Sequence, residues 1–191
     1  MPLRPATASH IPALARVHLA SWLAAYRGVM ADASLDALTP AVFEGYHRAR
    51  FSAEPPHASD PAQPFLVATD DAGDIVAFAR GGPTRDKSPT GDPLPDGFAQ
   101  RWSAELYAIY VHPDHMNRGH GRILFGAIAQ ALAARDHKNL CLWVLTHNRS
   151  GRNFYDRCQG QLAGESTITI DGKPYPQVAY SWDNITDLTQ I

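Results

Sequence analysis

The sequence predicts a single α/β domain of the α+β type, a mixed but largely antiparallel sheet with helices on both faces. Three observations carry this expectation. Two pairs of short apolar runs, 65–69 with 75–80 and 167–170 with 178–182, are joined through Asp70-Asp71-Ala72-Gly73-Asp74 and Asp171-Gly172, as in antiparallel hairpins. Between them an apolar run from Leu106 to Val111 passes through a polar turn into helical periodicity and then into a second buried run, Leu140 to Thr146. Finally, 191 residues with 45% hydrophobic side chains suit one compact domain over 1–191, burying roughly 70% of its unfolded surface.

Taken in order, Leu3 to Ala6 reads as a short first strand, and Ser9 as the cap of a helix that tolerates Pro12 in its first turn. Ile11, Leu14, Ala15, His18 and Trp22 share one face of that helix, with Leu19 and Tyr26 close by, and Gly28 offers a stop. Trp22 and Tyr26 are expected in the core. Thr39-Pro40 signals a second helix with Val42, Phe43, Tyr46 and Ala49 facing inward. The prolines between Ser52 and Pro64 exclude a helix or central strand, so a loop is expected there.

After the first hairpin, Gly81 to Gln100 is rich in Gly, Pro and Asp and has no periodicity, so it reads either as a substrate lid or as an insertion without a role. Leu106 to Val111 is then apolar enough for a strand buried on both faces, which Pro113 and Asp114 end. Gly119 and Gly121 stand just before Ile123, Leu124, Ala127, Ile128, Ala131 and Leu132, which recur at helical spacing. Asn148 introduces a short helix carrying Phe154 and Tyr155 ahead of the last hairpin.

The glycine turn has the makings of a phosphate cradle. The first N–H groups of a helix lack internal partners and carry partial positive charge, and glycines let a pyrophosphate approach them. Arg118 and Arg122 add charge. The other reading is that Gly119 and Gly121 only shape a tight turn. A Walker loop would need Gly-Lys-Ser/Thr, and the dinucleotide fingerprint a third glycine where Leu124 stands, so neither motif is present.

Val111-x-Pro113, then Arg118-Gly119-His120-Gly121-Arg122 and an apolar helix, resembles the acyl-CoA-binding segment of the GNAT N-acetyltransferase superfamily. Asn148-x-x-Gly151-x-x-Phe154-Tyr155 is similar to a second motif of that family, with Gly151 for the usual alanine. Met116 stands where the family has Gln or Arg. The likeness covers nearly the whole chain, most strongly from Glu105 to Gly160.

The resemblance implies a sheet splayed between the central strand and 140–146, with acetyl-CoA as co-substrate. Its pyrophosphate would meet the segment Met116, Asn117, Arg118, Gly119, His120, Gly121 and Arg122, and its pantetheine the backbone of Ile109, Tyr110 and Val111. The family's phenol near the thioester sulfur falls on Tyr155, which would protonate the leaving thiolate; the other reading is a core aromatic. Glu105, fourteen residues before Gly119, is placed like the general base of the histone-acetyltransferase branch, or is simply a strand-end carboxylate. Asn148 bonds the pantetheine arm, caps its helix, or both. Trp22 and Tyr26 would border the acceptor. The implied activity is direct transfer of an acetyl group to a primary amine of a small molecule or peptide in a ternary complex. A coenzyme A-binding regulator without turnover and an acyltransferase for another acyl group are the alternatives.

A net charge of −2 without blocks of like charge does not favour nucleic acid or an anionic membrane as partner. The N-terminal stretch lacks a signal peptide's apolar core and no run approaches roughly 18 apolar residues, so a cytoplasmic protein is expected. Cys141 and Cys158 are expected to be reduced. His112, His115 and His120 with Asp114 have metal-ligand chemistry, yet they fit a solvated loop beside the phosphate site, and no metal is expected. A homodimer is left open.

Overall fold

The computed structural model describes residues 2–52, 60 and 62–190. Seven strands form one sheet: β1 (Leu3–Pro5), β2 (Phe65–Thr69), β3 (Ile75–Pro83), β4 (Ala104–Val111), β5 (Leu140–Leu145), β6 (Gln161–Ile170) and β7 (Lys173–Trp182). Their order is β1-β2-β3-β4-β5-β7-β6, antiparallel throughout except for β4 and β5. The helices are α1 (Ile11–Tyr26), α2 (Asp32–Asp36), α3 (Pro40–Ser52), α4 (Phe98–Arg101), α5 (His120–Ala133) and α6 (Arg149–Arg157).

The two faces of the sheet are covered by different sets of helices. On one, Leu124, Phe125, Ile128 and Leu132 of α5 and Tyr155 of α6 pack against Leu106, Leu140, Leu142 and Tyr180. On the other, Leu14 and Val17 of α1 pack against Phe65, Val67 and Phe78. The end of α1 joins α2 through Tyr26, Met30 and Leu35 over Leu145 and Ile168.

The sheet opens at its one parallel pair. β4 and β5 are in register only at Ala104↔Leu140 and Glu105↔Cys141. Immediately beyond, Gly81 pairs with Leu106 while Arg80 pairs with Ala108, so Tyr107 is an extra residue in β4. Such a bulge bends its strand and raises the local twist, which carries the rest of β4 away from β5.

Several expectations are corrected. The residue before α1 is His10, not Ser9: Ala8–His10 is a 3₁₀ turn, fixed by the Thr7 N–H donating to His10 Nδ1 at 3.0 Å. On α3, Phe43 and His47 face inward, whereas Val42, Tyr46 and Ala49 are exposed. The inward stripe was obscured because one of its members is a histidine. The helix α2 was not anticipated; five residues are too few to display a period. β6 and β7 extend well past 167–170 and 178–182. β6 is an edge strand exposed along much of its length, and Pro174 and Pro176 lie ahead of the β7–β5 ladder, which starts at Gln177; the Pro176 carbonyl accepts from Thr146 N–H at 2.9 Å.

The stretch expected as the loop 81–100 is partly regular, with Gly81–Pro83 in β3 and Phe98–Arg101 forming α4. It is docked on the sheet. The Asp92 carboxylate accepts from the N–H and hydroxyl of Thr169, both at 2.9 Å, and the Phe98 ring lies 4.7 Å from that of Trp143. Most of the loop expected between Ser52 and Pro64 lies outside the described residues.

His18 and His47, facing each other at 3.3 Å, are 3% and 1% exposed. Burial, then His47 and the guanidiniums of Arg50 and Arg80, pushes His18 down to about 2; burial, then the same arginines, pushes His47 down to about 3. In the unfolded chain both would take up protons below about 6.5. The unfolded state therefore binds more protons in the window between, and stability is full above about pH 6.5 and lost as the pH falls. The expected slope in chemical denaturation is up to about 1.4 kcal/mol per pH unit for each histidine between about pH 6 and 4. His47→Gln should flatten it; an unchanged slope would contradict the assignment.

Candidate active site

The glycine turn is built as a cradle. Pro113–His115 forms a 3₁₀ turn, Asn117 and Gly119 take left-handed φ values of 59° and 87°, and α5 starts at His120. A Cβ on Gly119 would meet only Ile123 Cδ1 at 4.0 Å, so what demands glycine there is the backbone angle, and the space above the turn is open. At Gly121 the reason differs: a Cβ would stand 3.3 Å from the Phe154 ring. Gly121 thus lets α6 close on α5. The first helical bond from the turn runs from Ile123 N–H to the Gly119 carbonyl at 3.1 Å, which leaves the N–H groups of Gly121 and Arg122 outside the helix's own ladder.

Met116, Asn117, Arg118 and Arg122 are exposed, and neither arginine takes part in an ion pair among the described residues. The Met116 N–H is spent on the Pro113 carbonyl at 3.2 Å, so it is not a donor to a phosphate. The rings of His112 and His115 lie 6.0 Å apart and those of His115 and His120 6.1 Å.

Along β4 the peptide groups alternate between β3 and the opening. His112 N–H donates to the Val76 carbonyl at 2.8 Å, and Tyr110, opposite Phe78, lies on the same bonded side. Ile109 and Val111 therefore turn their peptide groups towards β5, after the β4–β5 pairing has ended. The Val111 carbonyl accepts from the Ser21 hydroxyl of α1 at 2.9 Å. Tyr110 contributes its side chain on the α1 face instead of its backbone.

Four aromatic residues gather at the opening. The Trp22 indole N–H donates to the Tyr110 hydroxyl at 3.1 Å, and the Trp22 and Tyr26 rings lie 5.1 Å apart. The Asn148 side chain lies close enough to the Tyr26 phenol to act on it, and its Oδ1 accepts from Gly151 N–H at 2.9 Å. Asn148 is thus both the cap of α6 and a link to α1. Tyr155 packs among Phe125, Phe154, Tyr180 and Trp182, and burial, then the neighbouring Tyr26, pushes its phenol well up. It stays protonated at neutral pH, as a proton donor must. A cavity of about 500 Å³ opens beside this group, lined by Ala25, Gly28, His147, Asn148 and Ser150.

Glu105 sits at the closed end of the splay and is 1% exposed. Oε2 accepts from the Arg85 backbone N–H at 3.1 Å and from Arg85 Nε at 3.0 Å, and Oε1 pairs with Arg85 Nη2. Three of roughly four lone-pair directions are thereby occupied. Sequence reasoning passed over Arg85, Ser21 and the Tyr110 hydroxyl. Arg85 lies in an aperiodic stretch, and a lone serine or tyrosine in a helix or strand shows no signal of what it will face.

Comparison with known proteins identifies the family and the fold. A model of the acetyltransferase (GNAT) family matches residues 30–160. The Bacillus subtilis (strain 168) protein called uncharacterized N-acetyltransferase YuaI is 25% identical over 189 residues, 99% of this chain and 96% of its own. Among solved structures, the fold is similar to that of a GNAT superfamily phosphinothricin acetyltransferase from Sinorhizobium meliloti in complex with AcCoA. The TM-score is 0.66 at 16% identity, over 96% of this chain and 88% of that one. It is similar as well to yncA of Salmonella typhimurium with its cofactor acetyl-CoA, at TM-score 0.64 and 17% identity over 96% and 93% of the two chains.

Asn148→Ala removes the cap and the link to Tyr26 together. It should cost about 0.5–2 kcal/mol in urea denaturation, as expected of an N-cap. Asn148→Asp should restore most of this, since its carboxylate can accept from the Gly151 N–H; no recovery would mean that the cap is not what Asn148 supplies.

Proposed function

The chain belongs to the acetyltransferase (GNAT) family, and from that premise we propose that it acetylates a primary amine of a small molecule or peptide directly, in a ternary complex with acetyl-CoA. The observation that carries this reading is the pairing of an open helix-start cradle with the splay beside it, because one strand, β4, leads from one to the other. Acetyl-CoA, when bound, supplies an acetyl group activated as a thioester. The amides of Gly121 and Arg122 would bind its pyrophosphate, with Arg118 and Arg122 adding charge and Asn117, Gly119 and His120 forming the rest of the turn. The peptide groups of Ile109 and Val111 would bind the amides of its arm as one strand binds another. The open space over Gly119 is consistent with that fit.

Tyr155 holds a proton at its hydroxyl and gives it to the departing sulfur. Glu105 takes the amine's proton through its remaining lone pair, while Arg85 keeps the carboxylate in place. Trp22 and Tyr26, on the α1 side of the splay, line the approach of the acceptor. No step draws on a metal.

Acetyl-CoA at a hundredfold excess over its dissociation constant should stabilise the protein by about 2.7 kcal/mol, read as a rise in melting temperature. Gly119→Leu should abolish the rise. Arg118→Ala and Arg122→Ala should weaken it, less so at high salt as screening grows. No rise with wild type at millimolar ligand would remove the assignment.

Tyr155→Phe should lower kcat by about 10²–10⁴ with little change in coenzyme A affinity. Glu105→Gln should lower it comparably, with the loss shrinking as the pH rises and free amine becomes abundant. Steady-state kinetics across pH decides; equal activity of both variants and wild type would make the phenol and carboxylate structural.

A further inference from the structure

Three arginines converge on the sheet face covered by α1 and α3. The Arg50 guanidinium lies 3.4 Å from the Tyr46 ring centre, and those of Arg80 and Arg85 lie 5.0 and 4.5 Å from the ring of Tyr107, the extra residue of the β4 bulge. Glu105 neutralises Arg85. Arg50 and Arg80 take part in no ion pair among the described residues, and the Nε of each is buried without a hydrogen-bond partner. Asp60, whose charge reaches Tyr107, already accepts from the Ala62 N–H at 2.8 Å and from Gln63 Nε2 at 3.2 Å.

The histidine pair completes the surroundings. His18 Nδ1 and His47 Nε2 face each other at 3.3 Å, and the outer nitrogens, His18 Nε2 and His47 Nδ1, are buried and unsatisfied. Burial and then Arg80 hold Arg50 down to about 10. Arg50 Nη1 donates to the Tyr46 carbonyl at 2.9 Å, and among the described residues the cluster still has an excess of cationic donors over anionic acceptors. Charge buried without a partner is strongly unfavourable, and unsatisfied polar atoms are few in native structures. A ligand that brings negative oxygens would relieve both at once.

Its location names the ligand. β4 runs from the splay to the cradle, so a cofactor anchored beyond Val111 and lying along Ile109 to Val111 directs its reactive end back towards Ala108 and Tyr107. Arg80 is directly opposite Ala108 in the β3–β4 ladder, and the Tyr107 ring carries Arg80 and Arg85. We propose that Arg80 and Arg50, assisted by Arg85, form a subsite for an anionic oxyacid group on the acceptor, so that the acetylated amine belongs to a molecule with a carboxylate or phosphonate close to its amino group. A planar guanidinium matches either group with paired N–H donors. The inference rests on the transferase reading above.

The test is acetyl-CoA-dependent thiol release with matched amines: an α-amino acid, its methyl ester, the corresponding decarboxylated amine and the corresponding aminophosphonate. The carboxylate or the phosphonate form, or both, should exceed the neutral forms in kcat/KM by about 10–150-fold, chiefly through KM, the factor of a hydrogen bond to a charged group. The two anionic arms tell which oxyacid is preferred. Arg80→Gln should raise KM for the anionic acceptor by a similar factor and leave the neutral ester unchanged, with partial rescue in Arg80→Lys. An intact acetyl-CoA melting shift verifies that each variant is folded; where one is not, the ratio of acid to ester on wild type decides. Neutral forms used as well as anionic ones, or Arg80→Gln affecting both equally, would overturn the subsite. If no amine is turned over, melting shifts with the same pairs apply the same criterion. Failure of acetyl-CoA itself to shift melting marks loss of the transferase reading instead.

Discussion

Much of this molecule depends on β4 giving up its ladder to β5 two residues after it begins. The pair Ala104↔Leu140 and Glu105↔Cys141 fixes the two strands together, and the extra residue Tyr107 then bends β4 away. A parallel pair continued to Val111 would have turned the peptide groups of Ile109 and Val111 into ordinary ladder partners. Because pairing stops, those groups face an opening, and burying them without partners would be costly. The fold answers from both sides. Ser21 of α1 donates to the Val111 carbonyl, and Asn148 reaches from the start of α6 to Tyr26 on α1.

The glycine turn shows how two glycines one residue apart serve unlike purposes. Gly119 is required by a backbone angle that places the first turn of α5 over open space, and Gly121 by the approach of Phe154. The second role matters for the site, since Phe154 precedes Tyr155 and sets where α6 lies against α5. Gly151 belongs to the same economy of space: a Cβ there would sit 3.0 Å from Asn148 Nδ2, so an alanine would ask the amide that caps α6 to shift by a few tenths of an ångström.

On the opposite face the chain tolerates an arrangement that a core selected for stability alone would avoid. His18 and His47 are held neutral by burial, and among the described residues the arginines beside them meet aromatic faces, the Tyr46 carbonyl and a single carboxylate, Glu105. Cation–π contacts of this kind recover part of the cost of desolvation. The remainder is what ties this cluster to the chemistry of the acceptor end, where the strand carrying Glu105 and Tyr107 also borders the splay.

The sequence by itself determined the order of the strands and of the helices α1, α3, α5 and α6, both hairpins, the glycine turn between β4 and α5, and Asn148 as the start of α6. These are local matters: apolar periodicity, turn residues and helix caps act over a few neighbours and leave their mark within a short window. The same window contained Glu105 and Tyr155 but not their surroundings. Only the tertiary structure decided that Glu105 is clasped by Arg85, twenty residues away across an aperiodic stretch, that His47 turns inward on α3, and that the half-buried Arg50 and Arg80 lie close together. Charged and imidazole side chains are read from sequence as solvent-facing because burial normally penalises them. Whether that penalty is borne depends on partners from distant segments, which no local pattern records.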